Sequence, residues 1–409
     1  MSKTTKSEIS ILPAEQVAGG YRTALAASFL GWTFVAFDFF LVVLTLTTIA
    51  GEFHRQDEDI ALSLTITLGF RPIGAFVFGL LADRYGRRPP LMMVLVFYSV
   101  IEVLTGLAPN YATFMVLRAL FGIGMGAQWG MGASLSMEKV PARSRGLLSG
   151  LLQEGYALGN LLASLCYLFL FPYWGWRPLF FIGGLPGLLA LFVCFRVKES
   201  EVWQKTRHES WGRLGRGIAS HWKLFIVLVL LMTMMNFVSH GTQDMYPTFL
   251  KYNWNFGPRQ RASINAFSMV GAIAGGIVFG FLSDRWGRRR SMILALLLAL
   301  IVIPLWAFAP SLAFLLTGAF MMQFMVQGAW GIIPAHLSEL SPDSERGFMA
   351  GFTYQCGVLL ASAVPYIEAV LSKSMDYSNA MALTAAIVFT GAIFMIAIGR
   401  EQRGIQFGG

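Results

Sequence analysis

Long apolar runs, LFIVLVLLMTMM at 224–235 and SMILALLLALIVIPLWAFAP at 291–310 among them, recur along a chain of 409 residues that is 56% hydrophobic and only 13% charged. A soluble domain cannot hide so many stretches of about 20 residues, the length that crosses a hydrocarbon layer ~30 Å thick. Lipid is therefore the solvent for most of this sequence.

Spans are expected near 24–49, 60–82, 90–108, 111–138, 146–171, 177–196, 223–250, 262–283, 291–309, 311–338, 347–371 and 379–399, which makes an all-α membrane protein of 12 transmembrane helices. Six spans fill residues 1–196, a polar linker 197–222, and six more residues 223–409. Most of the 31 Lys and Arg fall in the loops of one side. The positive-inside rule places that basic face, the linker and both termini in the cytoplasm, as for a multi-pass protein of a bacterial inner membrane. The first 23 residues carry Lys3, Lys6, Glu8 and Glu15 and no apolar core with a cleavage site, so they read as a tail and not a signal peptide. The net charge of +9 is spread over short loops at helix ends, which fits topology and not a nucleic-acid patch. A monomer facing the bilayer is the expected unit.

The two halves repeat. GLLADRYGRRPP at 79–90 returns as GFLSDRWGRRRS at 280–291, and EKVPARSRG at 138–146 returns as ELSPDSERG at 339–347, both with an offset of 201 residues. Parallel repeats of this kind are a transporter architecture, with the substrate site between the halves near mid-membrane. Gly79 and Gly280 permit close helix approach, and Asp83 and Asp284 can sit at the N-terminus of a neighbouring helix, where the macrodipole favours an anion.

The Gly-x-x-x-Asp-Arg-x-Gly-Arg-Arg loops and the paired Glu-x6-Arg motifs, Glu138 with Arg145 and Glu339 with Arg346, resemble those of the major facilitator superfamily over essentially the whole chain. The resemblance implies two pseudo-symmetric six-helix halves. It also implies a gate on the basic face built from Asp83, Arg84, Glu138, Arg145, Asp284, Arg285, Glu339 and Arg346. VKESEVW at 197–203 is similar to the Glu-Ser-Pro-Arg element of sugar porters but lacks its Pro and Arg.

Other patterns point away from catalysis. GIGMGAQWGMG at 122–132 lies inside an apolar helix with no strand before it, so its glycines read as a packing face and not a dinucleotide loop. Cys166, Cys194 and Cys356 lie scattered in apolar runs without metal-ligand spacing. No phosphate loop or nucleophile elbow occurs, so neither enzyme activity nor a cofactor or metal is expected.

Ionisable residues inside spans are functional candidates. Asp38 lies about 21 Å above the inner end of span one and Arg71 about 18 Å above Asp83, both near mid-membrane. Arg71 cannot shed its proton and needs an anion permanently. Asp38 is the expected partner when the site is empty, and an entering carboxylate gripped in two-pronged fashion is its competitor. Asp38 would then take up the proton that accompanies the substrate.

In span seven, Asn236, Ser239, His240 and Gln243 keep the i, i+3, i+4, i+7 spacing of one helical face, and Asp244 follows His240 by one turn, able to share its proton. Pro247 loosens the helix end. The pattern Asn236, Ser239, His240, Thr242, Gln243, Asp244, Thr248 resembles the signature of lactate/pyruvate:proton symporters of the sialate:proton symporter family. It implies binding of a small carboxylate by Arg71, Asn236, His240 and Gln243, with Asp38 or His240 and Asp244 as proton carrier. Gln153, Glu154, Tyr156 and Asn160 in LLQEGYALGN of span five and the repeat-related Tyr354 and Gln355 of span eleven are expected to line the inner half of the path, with Glu154 a further proton-coupling group. Arg118, near the outer boundary, is expected to snorkel, and Glu102 has no assigned role. Sialic acid or an aromatic acid is the alternative substrate, and a non-transporting sensor would need an output domain that a longest soluble segment of about 25 residues does not provide.

Overall fold

The computed structural model describes residues 14–207, 210–244, 246–362, 367, 371 and 374–408, and no strand occurs among them. The first half contains α1 (Ala14–Glu52), α2 (Asp57–Tyr85), α3 (Arg88–Gly106), α4 (Tyr111–Lys139), α5 (Arg145–Gln153), α6 (Gly155–Phe169), α7 (Phe171–Trp174), α8 (Arg177–Gly183) and α9 (Pro186–Arg196). Two short helices, α10 (Glu201–Thr206) and α11 (Trp211–Ser220), follow. The second half contains α12 (Trp222–Gln243), α13 (Tyr246–Trp254), α14 (Pro258–Trp286), α15 (Arg288–Ala307), α16 (Leu312–Leu340), α17 (Arg346–Ala361) and α18 (Tyr377–Ile398). Eight helical segments among the described residues are long and apolar enough to cross a membrane.

The expected spans correspond to these helices with informative differences. Span one begins at Ala14, ahead of the expected 24. Span five is interrupted at Glu154, between α5 and α6, and span six breaks between Gly183 and Pro186. Span seven stops at Gln243 and resumes at Tyr246 with Pro247 in its first turn, where a missing N–H costs nothing. Most of the outer part of span eleven, after Ser362, lies outside the described residues.

The duplicated loops turn on glycine. Gly86 has φ 110° and Gly287 φ 105°, a region that side chains with a Cβ avoid. Each turn is closed by a carboxylate from a distant segment: Glu199 accepts from the N–H groups of Arg87 (3.0 Å) and Arg88 (3.1 Å), and Glu401 from those of Arg288 (3.2 Å) and Arg289 (3.0 Å). The acidic residue of VKESEVW therefore caps the start of α3.

The glycine-rich stretch of α4 is a packing face. Gly122 meets the Thr67 carbonyl, Gly126 the Arg71 carbonyl, and Gly130 the Cα of Gly351, so α4 seats against α2 and α17 with no room for a side chain. Close approach through small residues is how helices associate where lipid offers no hydrophobic driving force. Gly126→Leu should thus sharply reduce the folded fraction, overpacking costing about 1–3 kcal/mol or more. Gly212→Leu, facing open space, should leave it unchanged, as size-exclusion chromatography of detergent-solubilised protein would show.

Candidate functional site

On the basic face, the two halves exchange carboxylates. The Asp83 carboxylate at the end of α2 accepts from Gly347 N–H (2.9 Å) and Phe348 N–H (2.8 Å) in the first turn of α17. Reciprocally, Asp284 at the end of α14 accepts from Gly146 N–H (2.7 Å) and Leu147 N–H (2.9 Å) in the first turn of α5. Each acid thus satisfies donors that a helix start leaves free and meets the positive end of a dipole belonging to the other half.

Buried arginines complete the arrangement. Arg87 bonds Asp83 and reaches Glu138 at 3.1 Å, and Glu138 also receives Arg346 from the other half at 3.0 Å. The repeat mates do the same: Arg288 bonds Asp284 (2.7 Å) and Glu339 (2.9 Å), and Arg145 crosses to Glu339 at 3.1 Å. This corrects one expectation from the sequence. Arg87 and Arg288 make these contacts, whereas Arg84 and Arg285 lie over the rings of Tyr85 and Phe281 at 5.5 and 4.3 Å. The positive-φ glycine between them reverses the chain, so the arginine after it points back at the acid four residues earlier.

A third strand of chain ties the gate. The Phe407 ring lies between the repeat-related guanidiniums of Arg145 and Arg346, 3.8 Å from each. Arg145 also donates to the Ile405 carbonyl (3.0 Å), and Gly408 N–H to Asp343 (2.6 Å). One guanidinium comes from each half, so the aromatic face bridges them by cation–π attraction.

Between the halves, a second set of groups gathers deeper in the membrane. Arg71 on α2 is buried, its guanidinium 5.5 Å from the Tyr354 ring, and its Nε and Nη2 have no hydrogen-bond partner. Tyr156 is within electrostatic reach of Arg71, Tyr354 and Asp244, and His240 of Arg71, so these five groups converge from α2, α6, α17 and the end of α12. His240 Nδ1 lies 2.9 Å from Asp244. Beneath them, Trp129 packs its ring 4.4 Å from Tyr354 and donates to Gln153 (3.0 Å), and Trp330 packs 5.7 Å from Tyr354.

Several expected ligands are engaged elsewhere in this conformation. Asn236 donates to the Met232 carbonyl of its own helix (2.7 Å), Gln243 pairs with Gln323 (2.9 Å), and the buried Gln355 donates to the Gly126 carbonyl (3.3 Å). Tyr156 falls among the path-lining positions expected from the sequence, whereas Trp129 and Trp330 carry no such expectation. A signal existed for the tryptophans, which occupy repeat-related positions, each followed by glycine.

The expected Arg71–Asp38 pair does not form. Asp38 is fully buried on α1 against Gly183 of α8, neither of its oxygens has a hydrogen-bond partner, and the charges that act on it are Glu102 and Arg118. Equal depth did not imply contact, because α1 turns Asp38 toward α3 and α8 while α2 turns Arg71 toward α17. Arg118 does not snorkel either. It is buried, donating to Glu102 (2.6 Å) and Thr105 (2.8 Å) under the rings of Phe121 and Phe180.

The family model of the Major Facilitator Superfamily matches residues 28–257 and 230–406. The chain belongs to this superfamily. Similar proteins include a carboxylic acid transporter protein homolog of Saccharomyces cerevisiae, 28% identical over 91% of this chain and 67% of that one. Another is the sialic acid transporter NanX of Escherichia coli, 26% identical over 95% and 96%. Among solved structures, the proton:xylose symporter XylE superposes with a TM-score of 0.81 over 96% of this chain and 98% of that one at 18% identity, which speaks for the fold alone. The chain is thus a transporter and not an enzyme.

The gate geometry makes a test direct. Phe407→Ala should open the basic face in a larger fraction of molecules, seen as faster thiol labelling of a cysteine introduced between the halves, with the cation–π contacts worth about 1 kcal/mol, near fivefold. Arg87→Gln should do more, because it strands two buried carboxylates.

Proposed function

We propose that this transporter imports small monocarboxylates, lactate or pyruvate, together with a proton by alternating access, from a bacterial cytoplasmic membrane with its basic face and both termini in the cytoplasm. The observation that carries the reading is Arg71. It is a permanently charged guanidinium near mid-membrane, with two nitrogens free of hydrogen bonds, beside the His240–Asp244 pair. A carboxylate satisfies such a fork in two-pronged fashion. The carboxylic acid and sialic acid transporters among its relatives support an organic acid as cargo.

The proton has its own place. Arg118 pairs directly with Glu102, while Asp38 nearby is fully buried and accepts no hydrogen bond. An ionised carboxylate there is costly, so this conformation holds Asp38 protonated. Substrate and proton therefore occupy separate sites, one between the halves and one within the first half, and their coupling runs through the movement of α1 and α2 and not through direct competition for one arginine. His240 with Asp244 sits closer to the substrate and serves as the relay between cavity and carboxylate.

A larger planar acid is the second reading, favoured by one observation. Tyr354 is flanked by Trp129 and Trp330, and Tyr156 stacks on Trp32 at 5.5 Å, so aromatic faces lie beside Arg71. Competition of lactate uptake by benzoate, against acetate and pyruvate, separates the two.

Arg71→Lys should lower uptake about tenfold or more despite keeping the charge, the loss of a charge-assisted hydrogen bond amounting to about 1.5–3 kcal/mol. Near-normal uptake by the folded variant sinks the assignment of Arg71.

The driving force gives the sharper prediction. A monoanion moving with one proton carries no net charge, so a membrane potential, worth about 2.3 kcal/mol per charge per 100 mV, does no work on it. One pH unit still supplies about 1.4 kcal/mol, a roughly tenfold accumulation. In proteoliposomes, an inward-directed acid gradient at zero potential should concentrate labelled lactate, and a potassium diffusion potential at matched pH should not. Accumulation driven by potential alone would rule out one-to-one symport.

A further inference from the structure

The seam between the halves just above the gate is built from α5 of the first half and α14 and α16 of the second. Gly150 rests on the Gly276 carbonyl, and Gly331 packs against both glycines. Beside them the Ser149 hydroxyl is inserted into the hydrogen-bond ladder of α16: it donates to the Gly331 carbonyl (2.7 Å) and accepts from Ala335 N–H (2.9 Å), next to Pro334. The next group outward on this seam is Glu154. It stands at the break between α5 and α6, with φ −70° and ψ −2°, is 3% exposed, and presses its Oε1 against Gly276 at the place where a Cβ would stand.

This carboxyl has no partner. Its Oε1 makes no hydrogen bond, and no titratable or charged group of α1, α4, α14 or α16 acts on it, burial alone bearing on its protonation. The facing atoms are those of Gly276 on α14, with Gly331 of α16 and Phe29 and Thr33 of α1 packed on the glycines beside it. An anion in that position would have lost its water and gained nothing. When the basic face opens, α5 leaves α14 and water reaches the same carboxyl.

We propose that Glu154 couples the proton to the closing of the cytoplasmic gate: the carboxyl is protonated while it is seated against Gly276 and is ionised once the halves part on that side. The inference rests on alternating access with the basic face in the cytoplasm, and is independent of which carboxylate is carried. Closing the gate then takes up a proton and opening it releases one. The ratio of open to closed molecules rises with cytoplasmic pH, by up to about tenfold per pH unit for one proton. Both exchanges are with the cytoplasm, so Glu154 carries no net proton across the membrane, and an acid cytoplasm holds the gate shut and slows further import. In this arrangement Asp38 holds a proton within the first half, while Glu154 makes the seam between halves sensitive to protonation.

The experiment uses the full chain in lipid nanodiscs on a cysteine-free background, with spin labels at Arg143→Cys and Arg290→Cys, two exposed positions on the basic face of opposite halves. Pulsed dipolar spectroscopy between pH 5 and 8 without substrate should show a growing long-distance population as pH rises. Glu154→Gln, which keeps the shape and cannot ionise, should hold the short distance across the range. Gly276→Ala, whose Cβ occupies the seat of Oε1, should favour the long distance at every pH and answers the question if Glu154→Gln fails to fold. A pH-insensitive distance in the otherwise unsubstituted protein, or a Glu154→Gln protein that titrates like it, overturns the proposal. Because the readout contains no substrate, a wrong substrate identification leaves it untouched, and uptake of lactate by a pH-insensitive gate would leave the transport reading standing without this one.

Discussion

Two carboxylates placed on the helix starts of opposite halves hold this conformation together. Asp83 receives the first N–H groups of α17 and Asp284 those of α5. Neither acid could be buried there alone. Arg87 and Arg288 neutralise them, and the same arginines hold Glu138 and Glu339 in place to receive Arg346 and Arg145 from across the seam. Removing one member leaves a buried charge uncompensated, which is why such a network switches between made and broken rather than loosening gradually.

The rest of the site takes its state from that closure. With the basic face shut, Gly150, Gly276 and Gly331 touch, the Ser149 hydroxyl completes the ladder of α16, and Glu154 is sealed from water. Farther from the gate the halves leave His240 and Asp244 partly exposed, with side chains 24% and 33% accessible. Trp129, Trp330 and Tyr354 thus lie between the closed gate and the partly exposed His240–Asp244 pair. Arg71 stands above these rings with unpartnered nitrogens, and the Asp38, Glu102 and Arg118 group is set apart inside the first half. In the proposed symport, separation of the permanent cation from the buried acid makes coupling a matter of helix movement, and frees Arg71 for an anion from outside.

Much of this was legible in one dimension. Apolar length announced the spans, and one offset of 201 residues exposed the duplication. The acids of the repeated loops could be assigned to helix starts because a buried carboxylate needs donors and a helix start has them free. Which arginine serves them was misread: Arg84 and Arg285 adjoin the acids in sequence, but the turn at Gly86 and Gly287 brings Arg87 and Arg288 round instead. Gln355 was expected in the cavity and instead bonds the Gly126 carbonyl, since α4 approaches so closely through its glycines that α17 turns that side chain toward it.

By itself the sequence determined the solvent, the helices and the twofold repeat, because these follow from local hydrophobicity and from similarity read along the chain. It also set an expected depth for Asp38 and Arg71, since rise per residue converts position into depth, whereas Arg118, expected at the outer boundary, is buried against Glu102. Only the tertiary structure decided who meets whom. Asp38 and Arg71 share an expected depth yet face different neighbours, and Glu154, a path-lining candidate from the sequence, comes to rest on a glycine of the opposite half. Rotation about the helix axis and the approach of another helix are set by packing between segments far apart in the chain, and no local pattern contains them.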